Sequence, residues 1–312
     1  MFELCGMKKS ALFLLAVLSL KVNASFEDAR ELYLSGDKAG SFLLFEEASQ
    51  RGDANAQFFL GWIHLLGATP SGAKDYYKAA LWLEKASKQG VPEAQYWLAK
   101  MYIEGLGVER SYTEAAHLMK LSADQKYTDA QAEYGLLLAH GRGVSRDQAL
   151  AIEYWLPAAA SGNLDAQFSL GLAYDEAMGT KRDYKQALKW YAKAAEQGDA
   201  QAQVNLAIMY QQGNGVIQDY SRAAGLYLEA AESGLADAQY SIGLYYHQGR
   251  AFARDDVMAH MWLNIASANG QSVASEAREI IEGEMTRQEI LLAQRLARQC
   301  VENNYKNCGE GK

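Results

Sequence analysis

Residues 94–108 read Ala-Gln-Tyr-Trp-Leu-Ala-Lys-Met-Tyr-Ile-Glu-Gly-Leu-Gly-Val, and residues 202–216 read Ala-Gln-Val-Asn-Leu-Ala-Ile-Met-Tyr-Gln-Gln-Gly-Asn-Gly-Val. The two stretches begin 108 residues apart, three periods of 36. Working outward, the Ala-Gln pair also opens at Ala130, Ala166 and Ala238, always on the 36-residue spacing. A second alanine keeps the same period at Ala79, Ala115, Ala151, Ala187, Ala223 and Ala259. One earlier pair, Ala56-Gln57, stands 38 residues before Ala94, so the first unit carries a two-residue insertion. A fixed period of this size means a stack of one supersecondary unit, not a single-core enzyme domain.

The unit from Asp165 to Gly198 shows how each copy is built. Asp165 is read as the cap of a first helix running through Tyr174, because a short side-chain oxygen satisfies the free amides of a helix start. The turn passes Gly179, and Asp183 opens a second helix from Tyr184 to Gln197. Gly198 stops it, since a left-handed residue after a helix costs glycine little. Gly90, Gly162, Gly234 and Gly270 are the equivalent stops, and Lys126 breaks the pattern. Gly61, Ala99, Gly135, Gly171, Ala207 and Gly243 share one first-helix position, where small side chains let two helices approach closely. Leu60, Leu98, Leu170, Leu206 and Ile242 fill the seam beside them, and Trp82, Tyr154, Trp190 and Trp262 read as core aromatics, not a cofactor box.

Ala-Gln-x-x-Leu-Gly, then Tyr, then Gly-x-Gly-Val, then Ala-x-x-Trp/Tyr-x-x-Ala-Ala and a closing Gly resembles the Sel-one-like repeat family. The resemblance covers six units from about Asp53 to Gly270, with a partial unit from Phe26 to Gly52. It implies an all-α fold, a right-handed superhelical α/α solenoid of about six full 36-residue helical-hairpin repeats with terminal caps, related to tetratricopeptide arrays. Departures fall in the turns: Thr69 and Ala251 replace the second turn glycine, and Ala177 replaces the first. The expected organisation is a signal segment over 1–24, an N-terminal cap and partial repeat over 25–52, six repeats over 53–270, and capping helices with a tail over 271–312. Thr286-Arg287-Gln288-Glu289 is a capping box opening a last helix through about Gln299, with Gln294, Arg295 and Arg298 on its polar face.

Lys8 and Lys9 precede an apolar stretch from Ala11 to Leu20, and Val22-Asn23-Ala24 supplies small residues before Ser25. That order reads as a cleavable secretory signal ending near Ala24, too short to span a membrane; the alternative is an uncleaved anchor, and Met7 is a second candidate start. The expected location is the periplasm or beyond. The absence of a glycosylation sequon after Ala24 mildly favours a bacterial envelope. The formal net charge is −8, and removing Lys8, Lys9 and Lys21 against Glu3 takes it to about −10. An acidic chain without a basic stripe argues against nucleic acid. Cys300 and Cys308 remain; in an oxidising compartment they are either a disulfide across the C-terminal turn or two inert thiols.

No chemistry is phased with the repeat. Ser35-x-x-Lys38 and Ser71-x-x-Lys74 have the serine–lysine spacing of penicillin-interacting enzymes, but the companion motifs are missing and both fall in turns. His64, His117, His140, His247 and His260 are scattered, so neither a metal nor a cofactor is expected, and the reading is not an enzyme.

In a helical-hairpin solenoid the first helices line the concave face, and positions that vary between repeats point away from the common core. The stripe at i, i+3 and i+7 carries Phe59, then Trp97, Lys100 and Glu104, then Glu133 and His140. It continues through Ser169 and Glu176, Asn205 and Gln212, and Ser241 and Gln248; the middle members Trp62, Leu136, Leu172, Ile208 and Leu244 pack between repeats or face the groove. Phe59 and Trp97 are natural anchors, because rings bury much area at low entropy cost. The competing reading places Phe59 and Trp62 under an N-terminal cap helix, Phe26 to Leu34. The function expected is an exported, non-catalytic adaptor binding a protein or peptide in its groove. The alternative is a peptidoglycan-binding or accessory factor of the cell wall.

Overall fold

The computed structural model describes residues 25–308, which hold sixteen α-helices and no strand. The expected signal segment lies outside the described residues. Helices α1 (Phe26–Leu34) and α2 (Lys38–Gln50) form an N-terminal hairpin. Six repeat hairpins follow. They are α3–α4 (Ala54–Leu66, Tyr76–Lys88), α5–α6 (Pro92–Glu104, Tyr112–Asp124) and α7–α8 (Thr128–His140, Gln148–Ala160). Next come α9–α10 (Leu164–Asp175, Tyr184–Glu196), α11–α12 (Ala200–Gln212, Tyr220–Glu232) and α13–α14 (Ala236–Gln248, Asp256–Ala268). Helices α15 (Ala274–Glu282) and α16 (Arg287–Glu302) close the array on α14. Contacts divide the chain inside α8, one unit ending at Tyr154 and the other starting at Trp155.

Both recurring alanines are fully buried in every repeat, from Ala56 to Ala238 and from Ala79 to Ala259. The reason is steric: a Cβ added at Gly61 would lie 2.8 Å from Leu83, and one at Gly243 would lie 2.9 Å from Leu263. At Gly171 it would run into the ring of Tyr191. The small first-helix residue is thus the socket for a large side chain from the second helix of the same hairpin.

The glutamine of the Ala-Gln pair has a separate task. Gln57, Gln95, Gln167 and Gln239 are all buried. Each donates Nε2 to a carbonyl eight residues earlier, in the last turn of the preceding helix: Ser49 at 3.0 Å, Ser87 at 3.3 Å, Ala159 at 3.0 Å and Ala231 at 3.1 Å. Each Oε1 accepts an amide hydrogen from the residue that ends the following second helix: Gln89, Gln125 and Gln197 at 2.7–2.8 Å, and Asn269 at 2.9 Å. One amide therefore joins the ends of two successive second helices through the first helix between them. Gln203 departs from the scheme. The residue ending α12 is Ser233, too short to reach it, so Gln203 turns its Nε2 to Glu229 at 3.0 Å and its buried Oε1 has no partner.

Helix starts follow the sequence with one shift. Asp75, Ser111, Asp183, Asp219 and Asp255 cap the second helices through their side chains. For α9 the cap is Asn163, whose side chain accepts from the Ala166 amide at 2.9 Å, and not Asp165. Asp165 stands within the first turn, where a carboxylate faces the positive end of the helix. Three of the four turn residues that break the glycine pattern keep glycine's conformation, Lys126 with φ 68°, Ala177 58° and Ala251 64°, while Thr69, in the longer turn of the first repeat, does not. The backbone path outweighs the local preference, and each side chain bears the strain.

The C-terminal end is tied down at several points. The Thr286 capping box is formed, with Glu289 accepting from the Thr286 amide at 2.7 Å and Thr286 Oγ1 accepting from the Glu289 amide at 3.3 Å. Cys300 and Cys308 are joined as a disulfide with their Cα atoms 4.8 Å apart. Tyr305 Oη donates to Asn269 at 3.2 Å, and Lys306 pairs with Glu232 at 3.3 Å.

Two stability changes follow. Ser233→Gln supplies Gln203 with the missing donor and raises unfolding stability by about 1 kcal/mol. Lys126→Gly relieves a left-handed residue and raises it by roughly 1 kcal/mol. Urea unfolding followed by circular dichroism checks both, and an unchanged midpoint in either variant contradicts the corresponding assignment.

Candidate partner-binding cleft

The first-helix stripe does not present its residues equally. Phe59 is held by the N-terminal hairpin, its ring 4.5 Å from that of Phe45, 5.4 Å from Tyr33 and 6.1 Å from Phe26. Ser169 is only 8% exposed. Neither offers a free side chain. Trp97 is half-buried against the core around Leu98 and Met101, edge-on to Tyr96 at 5.4 Å. Lys100 and Glu133, from successive repeats, meet each other at 2.9 Å. Glu104, His140 and Gln248 are exposed, the His140 ring nitrogen bonding the Leu136 carbonyl at 2.9 Å. Ser241 bonds back to the Asp237 carbonyl at 2.8 Å.

Glu176, Asn205 and Gln212 converge. The ends of α9 and α11 and the start of α10 enclose a cleft of about 310 Å³ in the second unit. Leu172, Ile208 and Met209 supply apolar wall, and the stripe members Glu176, Asn205 and Gln212 supply polar groups. Asp175, Arg182, Tyr184, Tyr191 and Asn214 complete the lining, and the stripe reading missed them. Asp175 and Tyr191 lie off the stripe in sequence, Tyr191 on a second helix, and only the stacking of two repeats brings them to the same space.

The polar groups of this cleft are incompletely paired. Tyr191 is fully buried and its hydroxyl has no hydrogen bond of normal geometry, although the Asn205 amide lies close enough to act on it. Burial raises the Tyr191 phenol above its usual range. Asp175 is half-buried and forms no ion pair; burial first, then Glu176, push its carboxyl above the ordinary range, while Arg182 works in the other direction. Arg182 donates Nε to the Asp175 backbone carbonyl at 2.8 Å and lies over the Tyr184 ring, and it pairs with neither carboxylate.

A second cleft, about 580 Å³, sits at the longer turn of the first repeat and contains Ser71 and Lys74. Ser71 Oγ lies 3.0 Å from Thr69 Oγ1, so that serine is engaged with a threonine and not with the lysine of its motif. His64 lines the same cleft, and burial holds its imidazole below the usual value. Among the described residues no group of three or more His, Cys, Asp or Glu side chains is arranged to hold a metal, and no helix is long and apolar enough to cross a membrane.

The Asp175 shift fixes a pH dependence. A carboxyl whose folded value is raised stabilises the fold only while protonated, and that contribution is lost as pH rises. Asp175→Asn therefore melts at a higher temperature than the parent at pH 7. The gain shrinks as pH falls and vanishes below the ordinary aspartate value of 3.8. Calorimetric melts from pH 3 to 8 check this, and a pH-independent difference contradicts it.

Known proteins share this architecture. The Sel1 repeat model matches six consecutive segments, residues 54–91, 92–127, 128–163, 164–199, 200–235 and 236–271. A solved Sel1 repeat protein from Oxalobacter formigenes is 30% identical, with a TM-score of 0.64, over 78% of this chain and 99% of that one. The structure of c5321, described as a protective antigen of uropathogenic Escherichia coli with an SLR fold, is 29% identical with a TM-score of 0.60, over 87% of this chain and 67% of that one. The chitin synthase regulator SKT5 of Saccharomyces cerevisiae is 35% identical over 75 residues, which span 24% of this chain and only 11% of that protein. The helical-hairpin fold, the six phased repeats and these likenesses agree that the chain belongs to the Sel1 repeat family.

Proposed function

We propose that this protein is an exported, non-catalytic adaptor that holds a protein or peptide partner against its first helices, with the α9–α11 cleft as the main point of attachment. Sel1 repeat proteins mediate protein–protein interaction, which supports the general class. The observation that carries the reading is the convergence of Glu176, Asn205 and Gln212 with Asp175 and Tyr191 around one opening. Exposed Ile208 and half-buried Leu172 give the cleft the apolar component that peptide recognition needs. Export rests on the N-terminal sequence, and the Cys300–Cys308 disulfide is in keeping with an oxidising compartment.

The reading is tested by replacing Gln212 with a photo-reactive residue and exposing the protein to an envelope extract. Exposed Lys189, on α10, is the control position. One protein crosslinked from position 212 and not from 189, and lost on Glu176→Lys, is the expected result. Glycan adducts alone, or the same proteins from both positions, would overturn it. Amino-terminal sequencing of the protein recovered from the envelope should begin at Ser25.

A further inference from the structure

The fifth repeat is a built-in reference for the fourth, because their positions differ by 36 residues. In the fifth, Gln211 Oε1 accepts hydrogen bonds from the hydroxyls of Tyr227 at 3.1 Å and, from the sixth repeat, Tyr245 at 3.0 Å. Both hydroxyls and the amide oxygen are satisfied, and the seam is closed. The residues 36 positions earlier are Asp175 and Tyr191 of the fourth repeat and Met209 of the fifth. Aspartate is a methylene shorter than glutamine, and its carboxylate makes no hydrogen bond to the Tyr191 hydroxyl. Methionine has no hydrogen to donate where Tyr245 stands in the next repeat. Two substitutions thus turn a closed network into an open one, and the cleft is the space that results.

The cation in the lining, Arg182, forms no ion pair with the carboxylates beside it. Asp175 and Glu176 bring two carboxylates to the lining, and Asn205 and Gln212 add amide oxygens that each already accept one hydrogen bond, from Gln201 at 3.4 Å and Asn214 at 2.8 Å. Arg182 is occupied by a backbone carbonyl and a ring. No third ligand is placed to make the pair a metal site. A water-filled carboxylate pair would be unremarkable on an exposed helix. Here it stands over a fully buried tyrosine whose hydroxyl also lacks a hydrogen bond of normal geometry. An unmade bond in such a place is costly, and it marks a seam that the repeat's own side chains leave unfilled.

We infer that the α9–α11 cleft receives the side chain of an arginine or lysine from a partner peptide, its cationic head between Asp175 and Glu176 and its aliphatic stem along Leu172 and Ile208. This rests on the partner-binding reading above and gives it a chemical specificity. Arginine suits the opening better than lysine, since its several donors can meet a carboxylate and an amide oxygen together.

The test uses a positional-scanning library of hexapeptides capped at both ends, applied to the immobilised chain with its disulfide intact. Peptides retained by the parent should be enriched in Arg or Lys at one position. Citrulline at that position should weaken the best peptide about tenfold or more, a loss of roughly 1.4 kcal/mol. Asp175→Asn should do the same. The double variant Asp175→Gln, Met209→Tyr, which copies the closed network 36 residues on, should abolish cation selection while keeping the helical spectrum of the parent and melting no lower than it. Retention of peptides without cationic preference overturns this inference and leaves the adaptor reading standing. Cation-selective binding that survives in the double variant also overturns it, by placing the site elsewhere. No peptide retained by the parent overturns both.

Discussion

A buried glutamine, bonded at both ends, sets how successive hairpins sit on one another. Small residues at the seam permit close approach but do not choose a register, because apolar contact is indifferent to small slides. The amide is not indifferent. Its Nε2 must find one carbonyl in the helix behind, and its Oε1 must find one donor at the end of the helix ahead. Each bond is worth about 1 kcal/mol net, but the cost of leaving such a group unpaired is larger than the gain of pairing it, so misregistered stacks are penalised. The repeat length follows from this. A 36-residue hairpin returns the next glutamine to the same place, and the first repeat absorbs its two extra residues in the turn between α3 and α4, where no clamp is disturbed.

With register fixed by the clamps, other positions are free to vary, and variation is where a repeat array acquires a site. The fourth and fifth repeats share the same backbone plan, yet one closes its seam with a Gln–Tyr–Tyr network and the other leaves an acidic cleft. Asp175 and Met209 in place of Gln211 and Tyr245 open the network, and Glu176 in place of Gln212 adds the second carboxylate. The same separation explains why Lys126, Ala177 and Ala251 are tolerated in left-handed turns: the stack dictates the path, and the turn residue follows it.

The period, the helical hairpins and the buried alanines were legible because each follows from spacing alone. The glutamine's role was not, since its partners lie eight residues behind and thirty or more ahead, and nothing local marks them as a pair. The stripe positions Glu176, Asn205 and Gln212 could be read from their variation on a first helix. Asp175 could not, because it sits one position off the stripe, and neither could Tyr191, a fully buried residue beside the recurring aromatic Trp190 with no pattern of its own. Asp165 reads as a cap in the sequence because a carboxylate in the first turn of the helix resembles one at its edge; Asn163 does the capping. Phe59 looks like a groove anchor only until the N-terminal hairpin is built around it.

The most direct test of the central claim is a double-mutant cycle on the Gln167–Gln197 pair, with Gln203–Ser233 as its internal comparison. Alanine replacements, singly and together, are followed by urea unfolding. The account predicts a coupling of about 1 kcal/mol for the first pair and none beyond error for the second. Equal couplings, or none at Gln167–Gln197, would show that the amides accompany the stacking of the hairpins without holding it.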